Sequence, residues 1–137
     1  MRPYNFPMKQ FLRLFPVVLM LGLLGTVPRP VWAEDTQFIS AIEDLPLMAG
    51  LVEDTDSALV FDSSGGRYVE AFADGALTSK DVTVFYKATL PQLGWQKTGG
   101  MTDFTFERED ETLMLEITNK ADTAGMIRVR FVLSPKK

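Results

Sequence analysis

The clearest pattern along the chain is an apolar stripe with helical spacing between residues 77 and 95. Apolar side chains recur there at steps of three and four, which predicts a helix with one buried face: Val82, Phe85, Tyr86, Leu90 and Leu93. Thr78 is a typical N-cap residue before this stripe, and Gly94 is typical of a left-handed C-cap after it. The pattern therefore predicts one main helix that packs against a core.

Patterns typical of strands flank this helix. Before it, residues 58–61 and 67–73 lie on either side of a Ser- and Gly-rich turn. After it, four more strands are predicted, most of them with apolar residues at alternate positions: 95–98, 104–108, 112–118 and 127–133. Strands that follow one another with one apolar side are typical of antiparallel sheets. The predicted fold class is α+β, with an antiparallel sheet of about six strands (ββαββββ) and the main helix packed on one face.

The last two strands also suggest a register. If Thr118 pairs with Met126 across the 119–125 loop, Glu116 lies opposite Arg128. This arrangement places opposite charges together on one side and apolar pairs on the other, as a correct register should.

The first 33 residues resemble a cleavable signal peptide. They combine a basic start, an apolar run from Leu14 to Gly25 and small residues before a cut between Ala33 and Glu34. An uncleaved membrane anchor is the alternative, and Met8 is an alternative start to Met1. These features predict export to the bacterial periplasm, with no stable membrane insertion after cleavage.

Two further segments follow the predicted cut. Residues 34–57 form an acidic amphipathic lead-in, whose first apolar residues predict a short N-terminal helix or an extended stretch: Phe38, Ile39, Ile42 and Leu45. Residues 58–137 are predicted to form a single α+β domain.

Composition excludes several kinds of chemistry. The chain has no cysteine and no histidine, which removes disulfides, thiol catalysis and the commonest metal ligands and general bases. After cleavage, ten basic residues would remain against eighteen acidic ones, a net charge of −8 that disfavours nucleic acid as a partner. We therefore predict no catalytic, cofactor-binding or metal-binding residues. A carboxylate-dependent hydrolase is the less favoured alternative, with Glu70 between aromatic residues as its one notable acid.

Three stretches resemble a family of small exported bacterial proteins of unknown function. They are Gly66-Arg-Tyr-Val-Glu-Ala-Phe-Ala-Asp-Gly75, then Val84-Phe-Tyr, then Leu90-Pro-Gln-Leu-Gly-Trp95, and the resemblance covers roughly residues 45–135. The resemblance implies no activity and no site residue.

The sequence also predicts a surface for a partner. Tyr68, Glu70 and Phe72 alternate to the side of the sheet away from the helix, and a symmetric turn would place Val60 across from Tyr68. We hypothesise that residues 38–51 lie over Tyr68 and Phe72, and that any protein partner binds there or at the rim of this surface. We predict a non-enzymatic monomer that contacts an envelope protein in envelope assembly or maintenance.

A binder of a small or lipidic ligand between helix and sheet is the alternative to protein contact. A pocket lined by Phe85, Phe104 and Phe106 would support that alternative, whereas a dense core would leave no room for a ligand.

N-terminal sequencing tests the export prediction. Material recovered from the periplasm should begin Glu34-Asp35, because Val31 and Ala33 supply the small residues that signal peptidase prefers. Full-length protein that stays in the inner membrane would contradict it.

Overall fold

Residues 36–137 are the part of the chain that the computed structural model describes, so the predicted signal peptide and its cleavage site lie outside the described residues. The described residues form one antiparallel sheet of seven strands and one main helix, which confirms the α+β fold class. The strands are β1 (Val52–Glu53), β2 (Leu59–Ser63), β3 (Gly66–Gly75), β4 (Gln96–Lys97), β5 (Thr105–Arg108), β6 (Glu111–Asn119) and β7 (Ile127–Pro135). The helix α1 (Ser79–Thr89) lies between β3 and β4 and continues as a 3-10 turn, Leu90–Leu93. One strand was not predicted, β1, which has only two residues.

The strands lie in the order β1-β3-β7-β6-β5-β4, and β2 pairs with β3 on the same side as β1. The predicted register between β6 and β7 is wrong by two residues, because Glu116 lies opposite Arg130 and not Arg128. The connecting loop is tighter than predicted, since the Lys120 N–H donates to the Met126 carbonyl at 2.9 Å. A shift of two residues preserves the faces, so the apolar side chains still point to one side.

Both ends of α1 have the predicted caps. The Thr78 hydroxyl accepts the Asp81 backbone N–H at 3.1 Å, which satisfies one of the free donors of the first turn. At the other end Gly94 adopts a φ of 86°, and the Trp95 N–H donates to the Leu90 carbonyl at 3.1 Å. The helix therefore begins and ends where its sequence directs.

The buried face of α1 packs on one side of the sheet. Val82, Tyr86 and Leu90 are fully buried, whereas Phe85 and Leu93 lie partly buried at the margin of the stripe. The central strand β3 contributes small side chains to this core, which lets the helix approach closely: Val69, Ala71 and Ala73. Larger apolar residues from β5, β6 and β7 complete it: Phe106, Leu113, Leu115, Ile127, Val129, Phe131 and Leu133.

The lead-in packs beside the helix, and the hypothesis that it covers Tyr68 and Phe72 is wrong. Its apolar residues belong to the same core as α1 and the sheet: Ile39, Ile42, Leu45, Leu47 and Leu51. The guanidinium of Arg67, on the same side of β3 as Val69, donates to the Ala41 carbonyl. Because α1 alone is too short to cover the helix side of the sheet, the apolar residues of the lead-in can be buried there.

The start of the lead-in is a closed loop and not a short helix. Phe38 and Pro46 form an antiparallel bridge, and the Ile39 N–H donates to the Leu45 carbonyl at 2.9 Å. Asp44 adopts a left-handed φ of 60°, which ends any right-handed helical run before Pro46. The apolar residues are spaced as in a helix, but the backbone brings them to one side by forming turns.

Tyr86 links the helix to the lead-in. Its hydroxyl donates to the Pro46 carbonyl at 3.0 Å and accepts the Met48 N–H at 3.4 Å. Burial raises the pKa of this phenol well above its ordinary value. Nearby, a side chain at Gly75 would meet the Gly50 carbonyl oxygen at 2.3 Å, so only glycine allows the lead-in to lie this close to β3.

Replacement of Tyr86 by Phe should destabilise the protein by about 1–3 kcal/mol, because it leaves the buried Pro46 carbonyl without its donor. Tyr68→Phe is the matched control, since it also removes one hydroxyl from a half-buried ring. Urea unfolding of both variants measures the difference. Equal midpoints for the two variants would show that Tyr86 does not hold the lead-in.

Candidate interaction surface

The open face is the side of the sheet opposite α1 and the lead-in. Tyr68, Glu70 and Phe72 all point to it, as their alternation with the buried Val69 and Ala71 requires. The paired positions of β7 and β6 add the remaining residues: Arg128, Arg130 and Val132 from β7, and Met114, Glu116 and Thr118 from β6. Three of the four predicted surface residues therefore share one face.

Val60, the fourth predicted surface residue, lies on the other side. It pairs with Val69, and Phe61 takes the place beside Tyr68 that was predicted for Val60. The turn is a two-residue loop at positions 64–65, which shifts the pairing by one residue from the symmetric turn. A shift of one residue moves every side chain of a strand to the opposite face.

Charged side chains join β3, β7 and the residue after β1 on the open face. Arg128 Nε lies 2.7 Å from Asp74 Oδ1, and its Nη2 lies 2.8 Å from Asp54 Oδ2. Lys120 Nζ adds a second cation 2.8 Å from Asp74 Oδ2. The hydrogen bonds from Arg128, together with Lys120, lower the pKa of Asp74 to about 2. The guanidinium also lies 5.4 Å from the ring centre of Phe72, within cation–π range.

A second cluster centres on Arg130. It pairs with Glu70 and with Glu116, whose Oε2 lies 3.2 Å from Nη1, and the Tyr68 hydroxyl donates to Glu70 Oε1 at 3.1 Å. The hydrogen bond from Arg130 is the chief reason that the pKa of Glu70 is lowered. Glu70 is therefore ionised near neutral pH, whereas a catalytic acid would need a raised pKa.

In these two clusters the charged side chains in the middle of the open face pair with one another. Val132 is only 7% exposed although it points to this side, where it is paired with Glu70 of β3 and Met114 of β6. The carboxylates and guanidiniums already satisfy one another, so a partner would have to displace existing pairs to gain new ones. The centre of the open face is therefore a poor place for a partner to bind.

The β2 edge, which we define as Leu59, Val60 and Phe61, is different. These side chains are 52%, 49% and 62% exposed, although all three are apolar. Leu59 and Phe61 point to the open face and Val60 to the other side, and β2 pairs with β3 alone within the described residues. Nothing in the sequence signals this exposure, because a short apolar run such as 59–61 is more typical of a strand buried on both faces.

Among the described residues, neither a metal-binding group nor the side chains of the predicted ligand pocket lie together. Within residues 36–137 no group of three or more acidic residues is placed to hold a metal ion. Phe85 lines a cleft of about 430 Å³ between α1 and the lead-in, Phe104 lines a separate one beside Met114, and Phe106 is buried in the core. The three residues of the predicted ligand pocket therefore do not line one cavity. No helix in the described part of the chain has the length and apolar character needed to cross a bilayer.

Comparison of the chain with family models, with curated proteins and with solved structures gave no match. The resemblance to small exported bacterial proteins thus stays a prediction. Function has to be inferred from the geometry of the open face and its edge.

The pKa of Asp74 predicts an acid-dependent loss of stability. Since this pKa is lowered from 3.8 to about 2, the stabilisation is complete above pH 4 and is lost as the pH falls toward 2. Asp74→Asn should be less stable than the native protein at pH 6, and urea unfolding should show this gap narrowing from pH 4 to pH 2. Asp62→Asn, on the exposed strand β2, is the control for removal of a carboxylate outside these ion pairs. A constant gap for Asp74→Asn would contradict the role given to its ion pairs.

Proposed function

We propose that this chain is a non-enzymatic periplasmic protein that works by contacting another protein of the cell envelope, in envelope assembly or maintenance. The observation that carries the proposal is the exposure of the β2 edge, three consecutive apolar residues next to a polar, self-satisfied face. Export rests on the features of residues 1–33, which lie outside the described part of the chain.

The composition of the β2 edge supports protein contact. Phe61 is paired with Tyr68 across the two strands, so two aromatic residues occupy opposite positions on the open face. Aromatic residues are enriched at the energetic centres of protein interfaces, because they bury a large area at a small cost in conformational entropy. Exposed apolar side chains that adjoin one another are typical of an interaction surface, whereas scattered ones need no explanation.

The charge clusters support contact over catalysis. Glu70, the acid considered for a hydrolase, is paired with Arg130 and hydrogen-bonded by Tyr68. Asp74 and Asp54 are likewise engaged by Arg128. Their geometry stabilises the sheet, and the chain offers no histidine or cysteine to supply another reactive group.

The ligand-binding alternative gains less support. The cleft beside Phe85 lies against the backbone of the lead-in, at Met48, Ala49 and Gly50, and not between the helix and the sheet. The space between helix and sheet is filled by Tyr86, whose ring contacts Phe131 edge-on at a centroid distance of 5.5 Å. This packing leaves the β2 edge as the better-supported site.

Affinity purification tests the proposed function. Tagged full-length protein, Phe61→Asp and Val84→Asp should be expressed in the source bacterium, and their periplasmic extracts analysed by mass spectrometry. Val84 is the matched control, because it is 58% exposed on the helix side of the molecule while Phe61 is 62% exposed. We expect a discrete envelope protein to be retained by the native protein and by Val84→Asp, with recovery reduced about tenfold or more for Phe61→Asp.

Retention of the same proteins by all three variants would contradict the proposal, as would the absence of any specifically retained protein. Circular dichroism and urea unfolding would confirm that Phe61→Asp is folded, which its exposure leads us to expect.

A further inference from the structure

The two outer edges of the sheet are protected to different degrees. One edge ends in β4, which has two residues, Gln96 and Lys97, both polar. The other edge carries β2, which has five residues and no proline or lysine. Proteins usually shorten an edge strand, or place charges on it, because an unpaired edge can bind another strand. The β2 side of the sheet shows little of that protection.

The backbone of β2 has hydrogen-bonding capacity to offer. In an antiparallel pair, only alternate residues direct their N–H and C=O groups at the partner strand. The groups of the intervening residues of β2 therefore point away from β3, along the free side of the strand. An extended segment laid there would continue the sheet by main-chain hydrogen bonds.

Side chains on both faces of β2 would contact such a segment. Leu59 and Phe61 would contact it on the open face, and Val60 on the opposite side. A segment with apolar residues at its centre would cover all three at once. Docking against the open face alone would leave Val60 exposed, so strand addition uses more of the apolar surface than face-to-face contact does.

The charges at the ends of β2 define the chemistry of the segment. Asp62 is exposed near the end of β2, and Asp56 is exposed in the 3-10 turn Thr55–Ser57 just before it. A segment with Lys or Arg at its ends would place cations beside both carboxylates. These contacts would be partly exposed, so they would contribute modestly to affinity and would weaken with salt.

The same charges disfavour a second copy of this chain as the occupant. Two β2 strands paired antiparallel about Val60 would place Asp62 of each opposite Ala58 of the other, next to the turn that carries Asp56. Each end of such a pair would bring Asp62 of one copy toward Asp56 of the other, and these like charges repel. The net charge predicted for the cleaved chain, −8, adds long-range repulsion between copies.

We infer that the free edge of β2 accepts an extended segment of a different protein as an added strand, and that this segment has an apolar centre and basic ends. The inference rests on the proposed function, since it describes how the same surface would hold its partner.

A synthetic peptide of the sequence Lys-Thr-Val-Ile-Val-Thr-Lys, blocked at both termini and fluorescently labelled, provides the probe. Its basic ends are symmetric, so it can pair in either direction. One control peptide carries Glu at both ends, and a second carries N-methyl groups on alternate central amides, which remove hydrogen-bond donors. Fluorescence anisotropy with the protein expressed from the full-length chain measures binding.

We expect the Lys-ended peptide to bind the native protein and Val84→Lys alike. Val60→Lys should weaken binding about tenfold or more, because it places a charge on the edge and repels the basic ends. The N-methylated peptide should lose a similar factor, since strand addition depends on main-chain hydrogen bonds. Asp62→Lys should shift the preference from the Lys-ended toward the Glu-ended peptide, a reversal that mere damage to the fold would not cause.

Several results would overturn the inference. They are equal binding by Val60→Lys and the native protein, equal binding of the N-methylated peptide, and no binding by any peptide at about 1 mM. A native dimer in sedimentation that Val60→Lys dissociates would make a second copy the occupant, and would also overturn it. If peptide binding fails while Phe61→Asp still loses an envelope partner, the proposed function stands and only strand addition is excluded. If no peptide binds and Phe61→Asp loses no envelope partner, the β2 edge neither accepts an added strand nor contacts a partner protein.

Discussion

The hydroxyl of Tyr86 joins the two segments that together cover one face of the sheet. Its ring lies in the core against Phe131, at 5.5 Å between ring centres, while its oxygen reaches the backbone of the lead-in at Pro46 and Met48. An 11-residue helix is about 16 Å long and cannot cover a sheet of this width. The lead-in supplies the missing cover, and the buried hydrogen bond fixes its position beside the helix.

That use of the lead-in decides the character of the open face. Both apolar segments lie on one side, so no segment among residues 36–137 covers the opposite side, which has to be stable in contact with water. It achieves this with opposite charges on neighbouring strands, Arg128 between Asp54 and Asp74, and Arg130 between Glu70 and Glu116. Val132 is nevertheless buried on this side, between Glu70 and Met114 of the neighbouring strands. Three of the exposed apolar residues adjoin one another on β2, outside these clusters, whereas Val52 and Met114 are exposed on separate strands.

Local signals in the sequence predicted the helix, both of its caps and the buried face of each long strand. Those features depend on residues that are close together in the chain, such as Thr78 with Asp81 or the alternation in β7. The lead-in was misplaced because its apolar residues fit either face of the sheet, and only the Tyr86 hydrogen bonds and the Arg67 contact distinguish the two. Val60 was assigned to the wrong face because the turn has one residue fewer than predicted, and a shift of one residue moves each side chain of a strand to the opposite face. Tyr68, Glu70 and Phe72 were placed on the correct face, while Leu59 and Phe61 were overlooked, since a short apolar run does not reveal that its strand lies at an edge.

The strand order has a consequence for how the molecule is made. β7 comes last of the seven strands in the chain, yet it lies between β3 and β6 and connects the two halves of the sheet. Until β7 has been added, the hairpin of β2 and β3 lacks its neighbouring strand, and Val69, Ala71 and Ala73 lack the β7 residues that pair with them. Such long-range pairing makes folding slow to begin, because a large loop has to close before the contacts that stabilise it can form. The proposed export is compatible with this order, because the sheet cannot close before β7 has followed the other strands.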